Sequence, residues 1–371
     1  MNILVTGANG FVGKNLVVEL KNQGYENIMI FDIDTDKSLL DEYARKADFV
    51  FHLAGVNRPN NKEEFMTGNF VFTSELLSLL KKYQSKAPIM LASSTQAKFN
   101  NPYGKSKSAG EKLLRKYSQK MEIPIYIYRF PNLYGKWSKP NYNSVVATFC
   151  YKIVRDEEVV IHDPNSVINL TYIDDVLKEL LSLLEAKGTN QGNFYEVPKV
   201  AKTTVGEIFQ LLTKFKNSRK TLEIPKLDNQ FEKNLYSTYL SFLPKDHFRY
   251  DLKMNEDTRG SFSEFIRTPE RGQVSINISK PGIVRGNHWH HTKNEKFLVV
   301  SGTGVIRVRQ VNDENKSVIE YYISGEKLEV VDIPVGYIHS IENLGDTDMV
   351  TVMWVNEVFD PNSMDTYFVE V

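Results

Sequence analysis

Seven residues near the start of the chain, Gly7-Ala8-Asn9-Gly10-Phe11-Val12-Gly13, restrict its fold more than any other stretch. They follow a short apolar, β-branched run at 3–6 and open a segment with helical spacing: Phe11, Leu16, Val17, Leu20. A buried strand feeding a helix through a glycine turn reads this way. Glycine permits a tight turn and close approach of the backbone to a pyrophosphate. The helix N-terminus adds oriented N–H groups and the positive end of a dipole, which suit a pyrophosphate. The next apolar run, 28–31, ends in Asp32, where a ribose-binding acid would sit. Further runs at 49–53, 89–92 and 125–128 alternate with helical segments such as 67–83. That alternation predicts an α/β half with a Rossmann-type, doubly wound parallel sheet.

Tyr103 and Lys107 stand four apart on one expected helix face. An ammonium beside a phenol favours the phenolate, which suits acid or base work. Ser93-Ser94-Thr95, after the fourth run, offers a hydroxyl to hold a substrate oxygen. The doubled serine points to Ser94 and the spacing to Phe99 points to Thr95, so both stay open.

Beyond residue 200 the alternation weakens. The spacing predicts a helix over 203–217 capped by Thr203 or Thr204. It predicts another over 228–243 capped by Asp228 and stopped by Pro244, with Phe231, Leu235, Tyr239 and Leu243 as its apolar stripe. From about 258 short runs at 274–278, 297–300, 305–308, 319–323 and 350–355 are separated by glycine, proline and acid-rich turns. Such even spacing argues for an all-β barrel or sandwich. The expected organisation is an α/β domain at 1–243, a linker at 244–257 and an all-β domain at 258–371.

Lys+Arg and Asp+Glu both number 46, so the net charge is zero and there is no electrostatic footprint for nucleic acid or an anionic membrane. The single cysteine, Cys150, forms no intrachain disulfide and fits a reducing compartment. No apolar run reaches the ~18 residues of a membrane helix, and no signal-peptide pattern opens the chain. A cytoplasmic protein is expected.

Three of the seven histidines fall within four positions: His288, His290 and His291. His288 and His290 share one face of a strand, because side chains alternate with period two. Glu295 and His339 complete a three-nitrogen, one-oxygen set for a divalent metal, Zn²⁺ first, with Fe²⁺, Ni²⁺ or Mn²⁺ also suited. His291 is expected outside the set.

Several motifs in order carry a resemblance. Thr6-Gly7-x-x-Gly10-x-x-Gly13, His52-Leu53-Ala54-Gly55, Ser93-Ser94-Thr95, Tyr103-x-x-x-Lys107, Arg129-Phe130-Pro131-Asn132-Leu133-Tyr134-Gly135 and Tyr172-Ile173-Asp174-Asp175-Val176 resemble the extended short-chain dehydrogenase/reductases of nucleotide sugars. The resemblance implies that Tyr103 moves a proton, tuned by Lys107, with Ser94 or Thr95 on the reacting oxygen. It implies that Gly7, Asn9, Gly10, Phe11, Gly13, Asp32, Leu53, Ala54 and Gly55 line a nicotinamide cofactor with Tyr103 and Lys107. Arg129, Asn132 and Tyr134 are expected near the sugar. His52 is expected to be structural.

Gly282-x5-His288-x-His290-x4-Glu295-x6-Gly302 and Pro334-x-Gly336-x2-His339-x3-Asn343 resemble the two cupin motifs, with Leu328 where a glycine is usual. A cupin jelly-roll barrel is the implied fold. Arg285-Gly286-Asn287-His288 and Lys296 are also similar to nucleotide-sugar 3,5-epimerases. That likeness makes His288 a base as well as a ligand candidate, with Lys296 or Arg285 supporting the enolate. The whole chain resembles the bifunctional capsular polysaccharide enzymes of the CapF type. This implies C3 epimerisation of a UDP-4-keto-6-deoxy-N-acetylhexosamine in the cupin and C4 reduction by NADPH, in a homodimer. The product would be UDP-2-acetamido-2,6-dideoxy-L-talose. Asp32 alone favours NADH. The competing readings are a single-function reductase with a structural or sugar-binding cupin, a non-catalytic nucleotide sensor, and a reductase joined to a cupin oxygenase.

Overall fold

The computed structural model describes every residue except Asn60, Pro269, Asn312, Ser363 and Met364, and every side chain except that of Gln191 as well. The chain divides into two compact units, residues 1–213 with 227–244 and residues 214–226 with 245–371.

In the first unit β1 (Ile3–Thr6), α1 (Phe11–Asn22), β2 (Ile28–Phe31), α2 (Lys37–Lys46) and β3 (Phe49–His52) alternate as the sequence predicts. There follow α3 (Glu63–Met66), α4 (Phe72–Lys82), β4 (Ile89–Ser94), α5 (Pro102–Met121), β5 (Ile125–Phe130), β6 (Asn132–Tyr134), α6 (Val145–Ile153), β7 (Val167–Tyr172), α7 (Ile173–Ser182), β8 (Asn190–Gln191) and β9 (Phe194–Tyr195). The main sheet has the order β2-β1-β3-β4-β5-β9-β8. Its first six members run parallel, and β8 pairs antiparallel at the edge. Ile3, Val5, Phe49 and Phe51 join one core with α1 and α7, while Leu4, Val50 and Ile89 join the other with α2, α4 and α5. Burial on both faces explains why the central strands are continuous apolar runs. The chain leaves β1 toward β2 and later returns to β3 on its other side. That reversal opens a crevice at the carboxyl ends of β1 and β3, where open α/β sheets bind ligands.

The helix expected over 67–83 is interrupted. A wide π turn at Thr67–Val71 separates α3 from α4. The Asn69 side chain faces away from the helix to bond the backbone of Val56 in both directions, at 3.0 Å each. β10 (Ala201–Thr204) leads into α8 (Val205–Thr221). Thr204 and Glu207 cap that helix reciprocally, Glu207 N to Thr204 Oγ1 at 3.1 Å and Thr204 N to Glu207 Oε2 at 2.8 Å. α9 (Gln230–Leu240) is capped by Asn229 rather than Asp228, because the Asn229 side chain accepts from Glu232 N at 2.8 Å.

The second unit is all-β. β11 (Asn255–Asp257), β12 (Gly260–Thr268), β13 (Gly272–Ser279), β14 (Val284–Trp289), β15 (Glu295–Ser301), β16 (Thr303–Gln310), β17 (Ile319–Ser324), β18 (Val330–Ile333), β19 (Tyr337–Asn343), β20 (Met349–Val355) and β21 (Tyr367–Phe368) build two antiparallel sheets. Their orders are β11-β12-β13-β20-β15-β18 and β17-β16-β19-β14-β21. Phe297, Val299, Ile306, Val308, Ile323, Ile333, Ile341 and Met349 come from both sheets and share one core. Residues 255–257, expected in a linker, are a strand because they hydrogen-bond to the start of β12. Residues 214–226 group with this unit because Arg267 of β12 exchanges backbone bonds with Leu222 and Ile224, at 2.8 and 2.9 Å.

A buried ion pair fixes α5, the helix of Tyr103 and Lys107, to the sheet. Glu111 of α5 accepts from Arg129 of β5 through both oxygens, at 2.9 and 2.6 Å, and from Ser93 of β4 at 2.5 Å. Arg129→Ala is expected to cost about 3 kcal/mol, because it strands a buried carboxylate. The double variant Glu111→Leu/Arg129→Met should recover most of that loss. Urea unfolding of the three proteins checks both outcomes.

Candidate active site and metal cluster

The glycine loop lies at the carboxyl end of β1. Gly7 has φ of 69°, and a Cβ there would come within 2.6 Å of Ala54 N and 2.7 Å of its Cα. This close approach joins the loop after β1 to the loop after β3. Gly10 N bonds Gly7 O at 3.0 Å, and Phe11 starts α1. Asp32, at the end of β2, is turned toward the loop. Its Oδ2 accepts from Asn9 N at 2.7 Å and its Oδ1 from Ile33 N at 2.8 Å. Leu53, Ala54 and Gly55 complete the crevice wall.

Tyr103 sits in the first turn of α5. Asn101 caps the helix, accepting from Gly104 N at 2.7 Å. The Tyr103 hydroxyl is hydrogen-bonded to Ser94; burial raises its pKa and the serine partly offsets this. The open pair is thereby separated. Ser94 faces Tyr103, whereas Thr95 is exposed on the 3₁₀ turn Thr95–Lys98. Lys107 Nζ lies 6.0 Å from the Tyr103 ring centre and donates to Ala92 O at 3.1 Å. Burial pushes its pKa down to about 8, opposed by Glu111. Asn69 missed notice in the sequence. Its Nδ2 also donates to Ser106 Oγ at 3.1 Å, so one side chain ties the loop at Val56 to α5.

Other expected residues are placed elsewhere. Arg129 is committed to Glu111 and stacks 3.8 Å over Phe194. Tyr134 is fully buried, hydrogen-bonded to Asn234 and packed on Tyr172 and Phe231; burial raises its pKa. Neither is presented to a sugar. Asn132 is exposed, donating to Asn169 O at 3.4 Å. His52 is structural, as expected. Its ring lies 2.7 Å from Thr6 Oγ1 and 2.8 Å from Thr73 Oγ1, and burial, with Lys107 nearby, lowers its pKa to about 3.

In the second unit the chain brings His288, His290, Glu295 and His339 together, with ligand atoms all within 4.8 Å of one another. A bulge between Gly286 and His288 sets His288 opposite His339. His339 Nε2 is 3.0 Å and His290 Nε2 3.6 Å from Glu295 Oε2. His290 Nε2, Glu295 Oε2 and both His339 nitrogens are buried without a hydrogen-bond partner. His290 Nδ1–H donates to the carbonyl of Asp365, which leaves the Nε2 lone pair free for a metal. The Asp365 carboxylate in turn accepts from His291 N, Thr292 N and Thr292 Oγ1 at 2.8–2.9 Å. Burial would raise the Glu295 pKa, but the imidazoles of His290 and His339 pull it down to about 2. Burial, then His339 and His290, lowers that of His288 to about 4. Buried orphan atoms converging from three residues fit a divalent metal. His288 differs from the three in having no buried orphan nitrogen and in being bonded to the Gly286 backbone.

Lys296 does not reach this cluster. It follows Glu295 on β15, so it points to the opposite face and pairs with Asp332 at 2.5 Å. Arg285, opposite the core residue Ile341, faces inward. His291 is exposed and packs on Trp289 and Tyr367. Among the described residues, no helix is long and apolar enough to cross a membrane.

Gly13 packs so tightly that a Cβ would strike the Gly7 carbonyl oxygen. Gly13→Ala is therefore expected to cost about 1–3 kcal/mol. It should also abolish the nicotinamide fluorescence change on adding NAD(P)H.

Residues 3–197 match the NAD dependent epimerase/dehydratase family, and residues 255–367 match the polysaccharide biosynthesis C-terminal domain. A UDP-2-acetamido-2,6-beta-L-arabino-hexul-4-ose reductase of Pseudomonas aeruginosa is 42% identical over 99% of this chain and 98% of its own. The crystal structure of the capsular polysaccharide assembling protein CapF of Staphylococcus aureus is 59% identical, covers both chains completely and superposes with a TM-score of 0.95. A UDP-glucose 4-epimerase of Thermotoga maritima, 22% identical, shares the fold of the first unit over 65% of this chain and 98% of its own, with a TM-score of 0.56. The chain belongs to the CapF family, an NAD dependent epimerase/dehydratase domain joined to a polysaccharide biosynthesis C-terminal domain.

Proposed function

We propose that this chain is a bifunctional UDP-sugar enzyme for capsule synthesis. The second unit, read as a cupin, inverts C3 of a UDP-4-keto-6-deoxy-N-acetylhexosamine. The first unit reduces the C4 ketone with NADPH, giving UDP-2-acetamido-2,6-dideoxy-L-talose. One observation carries the reading. A Ser94–Tyr103–Lys107 proton-transfer set and a buried His290–Glu295–His339 cluster share a chain that matches a 4-ketosugar reductase end to end. A homodimer in the cytoplasm is part of this proposal.

A proton on the carbon beside a ketone is acidic, because the charge left behind spreads onto oxygen. His288 is proton-free at neutral pH and takes the C3 proton; return of a proton to the other face inverts the centre. His290, Glu295 and His339 would hold the metal, for which Zn²⁺ is our choice. A bound metal polarises a carbonyl as a Lewis acid. With Lys296 turned outward, Arg285 is the cationic side chain of the motif that faces the interior. In the first unit NADPH supplies hydride when bound. Tyr103 gives its proton to the C4 oxygen, Ser94 orients that proton, and Lys107 stabilises the phenolate left behind. The choice of NADPH over NADH rests on the resemblance to the CapF family, since Asp32 by itself favours NADH.

The test is NMR of the 4-keto substrate in heavy water with enzyme and no nicotinamide. Deuterium at C3 is expected, lost in His288→Asn and after metal removal, and kept in Tyr103→Phe, which loses only reduction. Absence of exchange, with reduction intact once NADPH is added, would establish the single-function reductase instead.

The reduction rate should also depend on pH. Below about 8 Lys107 is charged and favours the developing phenolate; above it that charge is lost. The NADPH-dependent kcat should fall as pH rises through about 8. Lys107→Met should be slow throughout and lack that limb.

A further inference from the structure

The second unit hides a polar wall that the metal cluster does not use. Asn277 of β13 is 1% exposed and Thr351 of β20 is 0% exposed. They are directly opposite each other across the ladder, yet Asn277 Oδ1 and Thr351 Oγ1 have no hydrogen-bond partner in the protein. Asn277 Nδ2 donates one of its protons to Ser279 Oγ at 2.9 Å, while Oδ1 is left without a partner. Arg285 brings complementary donors. Its side chain is 18% exposed, its Nε and Nη2 are buried without a hydrogen bond, and Nη2 stands 3.7 Å from Asp257 Oδ1.

Strand register places the three on one level of the interior. Asn343 at the end of β19 donates to Ser279 O at the end of β13, and Ser279 pairs with Met349. Two residues back along each strand, Ile341 is level with Asn277 and Thr351, and Ile341 pairs with Arg285. The next level holds His339 opposite His288, with Phe297 against the His339 ring at 5.7 Å between centres. Two residues of strand are about 7 Å. The wall therefore lies one layer, about 7 Å along the strands, from the ligand His339.

We infer that Arg285, Asn277 and Thr351 form a subsite for a secondary amide, the acetamido group of a 2-acetamido sugar. An amide carries one N–H and one carbonyl. Asn277 Oδ1 accepts the N–H, Arg285 donates to the carbonyl, and the Thr351 hydroxyl closes the ring of contacts. A hydroxyl in place of the amide would reach only part of the wall and leave buried groups unpaired, which is how a polar site rejects an analogue. The choice of sugar rests on the proposed epimerase reading; the recognition of an amide beside the metal rests on the wall alone.

The test uses the full chain loaded with Mn²⁺ and UDP-N-acetyl-D-glucosamine as probe. Paramagnetic broadening of the acetyl methyl signal reports an amide bound near the metal cluster, and His339→Ala serves as the metal-free control. Thr351→Val and Asn277→Leu are each expected to weaken binding, read from that broadening, about tenfold. The thermal midpoint of Thr351→Val should be unchanged or raised, since it removes an unpaired buried polar atom. The ring-proton broadening of UDP-glucose should not respond to either variant. No methyl broadening in the metal-loaded wild type overturns the subsite. So does a lowered midpoint with broadening intact, or equal loss for both sugars. Methyl broadening without C3 deuterium exchange would sink the epimerase reading and leave the subsite standing.

Discussion

The N-terminal site depends on one buried carboxylate. Glu111 gathers Ser93 from β4 and Arg129 from β5 onto the middle of α5. Two turns earlier in that helix stands Tyr103, and one turn earlier stands Lys107. With Glu111 anchored, the phenol is held against Ser94 and the ammonium against the Ala92 carbonyl. A buried ion pair of this kind adds little net stability over an apolar replacement. Its value here is position. Asn69 works from the other side, locking the loop at Val56 to Ser106 of α5. Sheet, crevice loop and the helix of Tyr103 and Lys107 thus share a small polar frame set among apolar cores.

The second unit makes the opposite choice. Its apolar core fills one side of the interior, from β15 and β18 to β16 and β17. On the β13 side the inward residues are Gln273, Ser275, Asn277 and Ser279, all buried. A fold that needed only stability would fill those positions with valine and isoleucine. Buried polar atoms without partners cost free energy. Retaining them beside a histidine cluster places the cost where a polar ligand recovers it.

Much of this was legible in the sequence, because the signals were local. The glycine loop, the Tyr103–Lys107 spacing and the His288–His290–Glu295–His339 set depend on short-range periodicity, and each forms. What was illegible depends on direction or distant pairing. Lys296 follows Glu295 in sequence, yet strand alternation sends it to the other face to meet Asp332. Arg129 lies in a motif expected near sugar, but Glu111, eighteen residues earlier, claims it. Nothing around Asp365 announces that its carbonyl fixes the tautomer of His290 seventy-five residues away. Asn69 sits in an ordinary helical pattern, and only the π turn shows that its side chain serves a loop. The choice between Ser94 and Thr95 needed the turn geometry after β4, since both hydroxyls fit the motif.

A chemical reason links the two proposed activities. Epimerisation beside a ketone is an equilibrium, since the C3 proton stays acidic in both epimers while C4 is a carbonyl. Nothing in the second unit alone makes one epimer permanent. Reduction removes the carbonyl, and the C3 proton then loses its acidity. The reductase therefore fixes the configuration that the epimerase only samples, and selects which epimer is drawn off. Such a selector must have a rigid proton donor, because hydride and proton have to add to defined faces. The Glu111 anchor supplies that rigidity, whereas the base of the second unit must allow a proton to leave one face and return to the other. A half-buried His288 beside the buried His290 and His339 suits that looser task.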